Sequence, residues 1–81
     1  MFLNELKTGN KALVKKIKAS GEKRRRLLDL GLIPETEVVS KRKSPSGDPG
    51  AFLIRGTIIA LRSEDTSLIE IKPLNKYTEG R

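Results

Sequence analysis

Apolar positions in this chain fall in short clusters divided by turn residues, and the spacing within the clusters changes along the sequence. Phe2-Leu3-Asn4-Glu5-Leu6 predicts one short helical turn, halted by Thr8-Gly9-Asn10. Residues 11–19 predict a strand to which Leu13, Val14 and Ile17 give the apolar contributions. Val14 and Ile17 have opposite parity, so a period of two cannot place both on one face. A bulge or strong bend reconciles them. Residues 20–31 carry the one good helix, with Ser20 as N-cap, Glu22 near the positive end of the dipole and Gly31 closing it in the left-handed conformation. At about 100° per residue, Leu27 and Leu30 share a face with Leu28 to one side. Lys23 and Arg24 flank that stripe, while Arg25 and Arg26 point to solvent and Glu22–Arg26 has the favourable i,i+4 order.

Pro34 stops the helix from resuming, and residues 36–43 return to strand character. The run 44–50, with two Pro and two Gly, is a loop. Residues 52–55 and 58–61 predict a hairpin turning near Gly56, residues 63–66 a capped turn, and residues 68–72 the last strand. In that strand Ile69 and Ile71 point inward, Glu70 points outward, and Pro73 ends it. Five short strands with one short helix inserted after the first fit a mainly β fold, a small closed or nearly closed barrel. The barrel domain is expected over residues 1–74, followed by a polar tail, 75–81, expected to fray.

Composition narrows the chemistry. The 81 residues contain no His and no Cys, which removes imidazole bases, thiolate nucleophiles, disulfides and nearly every zinc, haem or iron–sulfur site. Only carboxylate and carbonyl oxygens remain as metal ligands, so no tightly bound metal is expected, and weak Fe²⁺ association through carboxylates is the most they offer. An enzyme is not expected, because no acid–base–nucleophile set can be assembled. No apolar run approaches the roughly 20 residues of a spanning helix, and no signal pattern opens the chain. The lack of cysteine suits a reducing cytosol.

Charge is uneven. Residues 1–43 hold 12 basic and 5 acidic side chains, whereas residues 44–81 hold 5 of each, so the whole excess of +7 lies before Ser44. It concentrates in Lys15-Lys16-Ile17-Lys18, Lys23-Arg24-Arg25-Arg26 and Lys41-Arg42-Lys43. Such a field favours an acidic protein face, anionic lipid headgroups or nucleic acid. Small basic barrels do bind RNA, which makes an RNA-binding module the alternative reading. Single-strand recognition leans on aromatic stacking, however, and Phe2, Phe52 and Tyr77 are scattered without basic interleaving. No nucleic acid is therefore expected as partner.

The runs RRRLLDLGLIP at 24–34, SPSGDPG at 44–50, IRGTIIALR at 54–62 and LIEI at 68–71, after the opening LNELKTGNKALVKKI at 3–17, resemble the FeoA family. The resemblance implies an SH3-like β-barrel and a free-standing cytoplasmic accessory of bacterial ferrous iron uptake. The implied partner is FeoB, a membrane iron transporter with a cytosolic GTP-binding domain, which would hold the chain at the inner membrane. The chain has no G-x-x-x-x-G-K-[ST] loop and so is not itself the GTPase. It departs from the family at Glu35, where Gly is common, and at Ser46, where an apolar residue is common. Glu35 implies a turn that needs no positive φ there, and Ser46 weakens any apolar contact from the loop tip.

Candidate partner-binding residues are Lys23, Arg24, Arg25, Arg26, Ser46, Asp48 and Arg55. The structural motif consists of Leu28, Gly31, Leu32 and Pro34, then Pro45, Gly47 and Pro49, then Gly56 and Leu61. Leu27, Leu28, Leu30, Leu32 and Ile33 read as core capping the barrel in preference to a docking ridge. Gly31 and Gly56 read as turn residues, Asp48 as the centre of an Asx-type turn, and Glu64-Asp65 as first-turn dipole partners. Arg55 and Arg62 sit at the hairpin edges with exposed heads. A monomer or a weak homo-oligomer is expected, since barrel edges pair readily.

Overall fold

The computed structural model describes residues 1–74, so the expected tail at 75–81 lies outside the described residues. A single 3₁₀ turn, Leu3–Glu5, opens the chain. The elements that follow are β1 (Lys11–Ile17), α1 (Gly21–Asp29), β2 (Glu37–Lys43), β3 (Gly50–Ile54), β4 (Thr57–Leu61), α2 (Ser63–Thr66) and β5 (Ile69–Pro73). All strand pairs are antiparallel, in the spatial order β4-β3-β2-β1-β5.

The parity conflict in β1 is resolved as expected. Its register against β5 shifts between Val14 and Lys16, which brings both Val14 and Ile17 into the core. A second shift, between Ser40 and Arg42, bends β2 against β3. Ala12, not Leu13, shares the inner face with Val14; Leu13 is half-buried on the other side. Inward side chains of the sheet, chiefly Val38, Phe52, Ile54, Ile69 and Ile71, enclose one core with Leu3 and Leu6.

α1 ends in a Schellman motif. Leu32 N–H donates to Leu27 O at 3.2 Å and Gly31 N–H to Leu28 O at 2.9 Å, with Gly31 at φ +104°. Leu27 and Leu32, at the two ends of the longer bond, are both fully buried in the core cluster. Ser20 occupies the N-cap position, but its side chain makes no capping bond.

The leucine run divides differently from the expectation. Leu27 and Leu32 are core, Leu28 and Leu30 are half-buried against it, and Ile33 is 43% exposed. A short helix docked along one edge buries one residue per turn, and Leu27 takes that place.

Glu35 corrects a second expectation, because it adopts φ +73°. Thr36 N–H donates to Ile33 O at 3.0 Å, so Pro34 and Glu35 are the central residues of a turn whose third position demands positive φ. The geometry is held on both sides. Glu35 N–H donates to Val14 O at 2.7 Å, and Lys15 Nζ donates to its carboxylate at 2.8 Å. That Lys15 hydrogen bond also holds the Glu35 carboxyl below the usual carboxylate range.

Candidate docking surface

The basic helix is fastened to the body of the protein by a residue 39 positions beyond Arg26. Asp65 in α2 is only 6% exposed, and its carboxylate accepts from Lys23 Nζ at 2.8 Å and from Arg26 Nη2 at 3.2 Å. The Lys23 hydrogen bond holds the Asp65 carboxyl below its ordinary range, against the opposing pull of burial. Glu64 approaches the same Lys23 ammonium at 3.9 Å. Arg24 turns back to donate to Ile17 O at 3.4 Å. Glu64 and Asp65 are therefore not simply dipole partners of α2, and Arg26 pairs with Asp65 where Glu22 was expected. Within the tetrad only Arg25 has neither a carboxylate nor a carbonyl partner among the described residues.

The loop 44–50 attaches to the other end of α2. Asp48 accepts from Ser63 N–H at 2.8 Å and from Ser63 Oγ at 3.1 Å, across fifteen residues of chain. Its carboxylate thus caps α2, satisfying a free amide of the first turn; an Asx turn within the loop is not its role. Ser46 is exposed and its hydroxyl donates to Asp48 O at 3.1 Å. Pro45 and Gly47 are exposed, Pro49 is half-buried, and Gly47 adopts φ +89°.

Arg55 and Gly56 form the two-residue turn between β3 and β4, with φ +51° and +84°. The Arg55 stem lies over Gly31: a Cβ at Gly31 would stand 3.1 Å from Arg55 Cδ and 3.2 Å from Ile54 Cγ2. Gly31 therefore serves both the helix end and this close approach. The structure brings Arg55 beside the C-terminal end of α1, where Leu28, Asp29, Leu30 and Ile33 join Ile54, Thr57 and Ile59 around a shallow open groove. Asp48 lies elsewhere, at a separate depression bordered by Lys43, Phe52 and Ser63, and Ser46 is tied to Asp48 O beside it. Leu61 is buried at the end of β4.

Asp65 is the residue that sequence reasoning missed. An acidic residue in a four-residue helix shows no pattern that singles out its partners. The one available signal was an unusual density of cations on α1, which calls for a counter-charge somewhere. Among the described residues no three Asp or Glu side chains gather around a common point that would suit a metal ion. No helix of the described residues is long and apolar enough to cross a membrane.

A five-stranded antiparallel sheet bent by two bulges, with a basic helix and an open groove at its edge, defines a small SH3-like domain. The family model for the FeoA domain matches residues 1–73, and the chain belongs to the FeoA family. It is 31% identical over 72 residues to the Fe(2+) transport protein A/Fe(2+) transporter FeoB fusion protein of Porphyromonas gingivalis, a match spanning 89% of this chain and 8% of that protein's length. Among solved structures, it resembles iron(II) transport protein A from Clostridium thermocellum (32% identity, TM-score 0.88), covering 91% of this chain and 46% of that one. It also resembles the zinc complex of Stenotrophomonas maltophilia FeoA, described as a procaryotic SH3 domain protein (29% identity, TM-score 0.79, 89% of each chain). Ferrous iron transport is thus the setting of this family.

Proposed function

We propose that this chain is a non-enzymatic cytoplasmic accessory of ferrous iron uptake that binds the cytosolic part of a FeoB-type membrane transporter and modulates its transport or nucleotide turnover. One observation carries the reading: the Porphyromonas gingivalis relative joins a region like this chain to FeoB in one polypeptide. Such linkage raises the effective concentration of two modules that act on each other. The basic excess supports a docking role, steering association toward an acidic face on the transporter and toward neighbouring anionic headgroups. RNA binding gains no support. Phe52 is buried and Phe2 is half-buried with Lys18 Nζ 5.9 Å above its ring, so the described residues offer no exposed aromatic platform.

Arg25 is the clean probe of steering, because Lys23, Arg24 and Arg26 have structural partners. Arg25→Gln is expected to leave the unfolding midpoint unchanged, slow association with the transporter's cytosolic part and flatten the salt dependence of the rate. Ser46→Ala, which changes no charge, is expected to leave the salt slope as it is. Stopped-flow association at two salt concentrations checks both. A wild-type rate and slope for Arg25→Gln would remove α1 from the docking face.

Iron is cargo in this reading and not a resident cofactor. With no His or Cys in the sequence, dialysed tag-free protein is expected to retain no stoichiometric metal, its carboxylates associating only weakly with Fe²⁺. Elemental analysis showing one retained ion per chain would contradict this.

A further inference from the structure

We infer that the free edge of β4, together with the groove between β4 and the end of α1, receives an extended segment of a partner chain as an added strand, and that this segment carries acidic residues at its flanks. β4 is the terminal strand of the sheet order, so among the described residues one of its edges has no neighbouring strand. The two-residue turn makes Ile54–Thr57 a hydrogen-bonded pair, and such pairs alternate along an antiparallel ladder. Thr57, Ile59 and Leu61 therefore bond to β3, while Ile58 and Ala60 turn their N–H and C=O groups away from it. Neither residue has another backbone partner among the described residues. The strand also lacks the usual defences of an edge: Thr57-Ile58-Ile59-Ala60-Leu61 contains no charge, no Pro and no bulge.

Side chains of an added strand would have apolar surface on both faces. On the inner side the groove presents Leu28, Leu30, Ile33 and Ile59. On the outer side Ile58, 57% exposed, stands in cross-strand register with Leu53 and, beyond it, Val39. Alternate apolar residues of the segment would thus be covered in either direction, which is the pattern of β-strand addition.

Charge selects the occupant. Arg55 precedes β4 and Arg62 follows it; both are exposed and neither has a carboxylate within salt-bridge distance among the described residues. A second copy pairing antiparallel about Ile59 would bring Arg62 of one copy toward Arg55 of the other at both ends of the seam. Like charges so placed oppose association. A segment with carboxylates at its ends meets both arginines favourably. This inference deepens the transporter-docking reading and rests on it only for the identity of the partner.

The test uses a short blocked peptide of alternating Glu and Val, its counterpart with Lys for Glu, and the full chain labelled with ¹⁵N. The acidic peptide is expected to bind and to slow exchange of the Ile58 and Ala60 amides about tenfold or more, with the Lys peptide binding about tenfold more weakly. Ile58→Pro removes an outward N–H and the exposed Ile58 side chain, leaves the β3-facing amides in place, and is expected to remain folded and to weaken binding about tenfold. Ile33→Asp, at an exposed site, is expected to weaken the acidic peptide without altering the fold. Absent binding, equal binding of the two peptides, unprotected Ile58 and Ala60 amides, full binding by a folded Ile58→Pro protein, or self-association of the free chain through β4 would each overturn the inference. Failure here with intact binding of the transporter part would remove the strand-addition mode and leave the proposed function standing.

Discussion

Leu27→Ala is expected to lower stability by about 2–5 kcal/mol, the cost of removing a large aliphatic side chain from a filled core. Leu27 has no exposed surface, and it shares the core with Leu32 at the point where α1 is tied off by the Schellman bonds. Truncation therefore opens a cavity and loosens the helix end together. Leu28→Ala is expected to cost about 1 kcal/mol, since Leu28 is half-buried and water can fill the space it leaves. For a domain whose whole stability is on the order of 5–15 kcal/mol, the first loss is severe and the second is tolerable. Urea unfolding of both variants with an unchanged m-value separates them. A larger loss for Leu28→Ala than for Leu27→Ala would mean that α1 is turned by one residue from the orientation described.

Asp65 supplies the second large effect, and its size depends on pH. Asp65→Asn is expected to cost about 1–3 kcal/mol at neutral pH, toward the lower end because Lys23 and Arg26 can return to water. The folded-state pKa of Asp65 is depressed, chiefly by the Lys23 hydrogen bond. The unfolded chain therefore takes up protons first as pH falls. The stabilisation is fully present above the unfolded value, roughly 3.9 for an aspartate, and is lost as pH drops through the lower folded value. The gap between wild type and Asp65→Asn should close across that acid window. Glu35, also depressed, contributes in both proteins and cancels in the difference. Lys23→Met/Arg26→Met reverses the sign. It leaves a buried carboxylate without its cations, costs about 3–5 kcal/mol near neutrality, and regains stability as acid protonates the group. Thermal unfolding from neutral to acid pH in the three proteins measures all of this; parallel curves would show that Asp65 is not the fastening of α1.

The features legible in the sequence were the local ones. Opposite parity at Val14 and Ile17 required the bulge that the register shows, and Gly56 marked the hairpin turn, which takes in Arg55 where a strand residue was expected. Gly31 closed the helix in the conformation its position demanded. What escaped were choices made between distant segments. Asp48 reaches Ser63 instead of its own loop, and Asp65 draws Arg26 away from Glu22, because a side chain's best partner is set by where the sheet delivers it. Glu35 escaped for a related reason. Its residue type argues against positive φ, yet the bonds to Val14 and Lys15 on the neighbouring strand hold it there. The split of the leucine run followed the same rule, since periodicity names a face but not how deeply the core reaches along it.

The central claim, that this FeoA-family chain binds the cytosolic part of a FeoB-type transporter, is tested most directly by titrating the GTP-binding cytosolic part of a FeoB from the same genome with this chain. Isothermal calorimetry, run with and without GTP at two salt concentrations, is the measurement. The account predicts a saturable complex of one chain per transporter part, weakened by salt and by Arg25→Gln. No saturable heat under any of these conditions, with tight binding of a short single-stranded RNA in the same buffers, would contradict it.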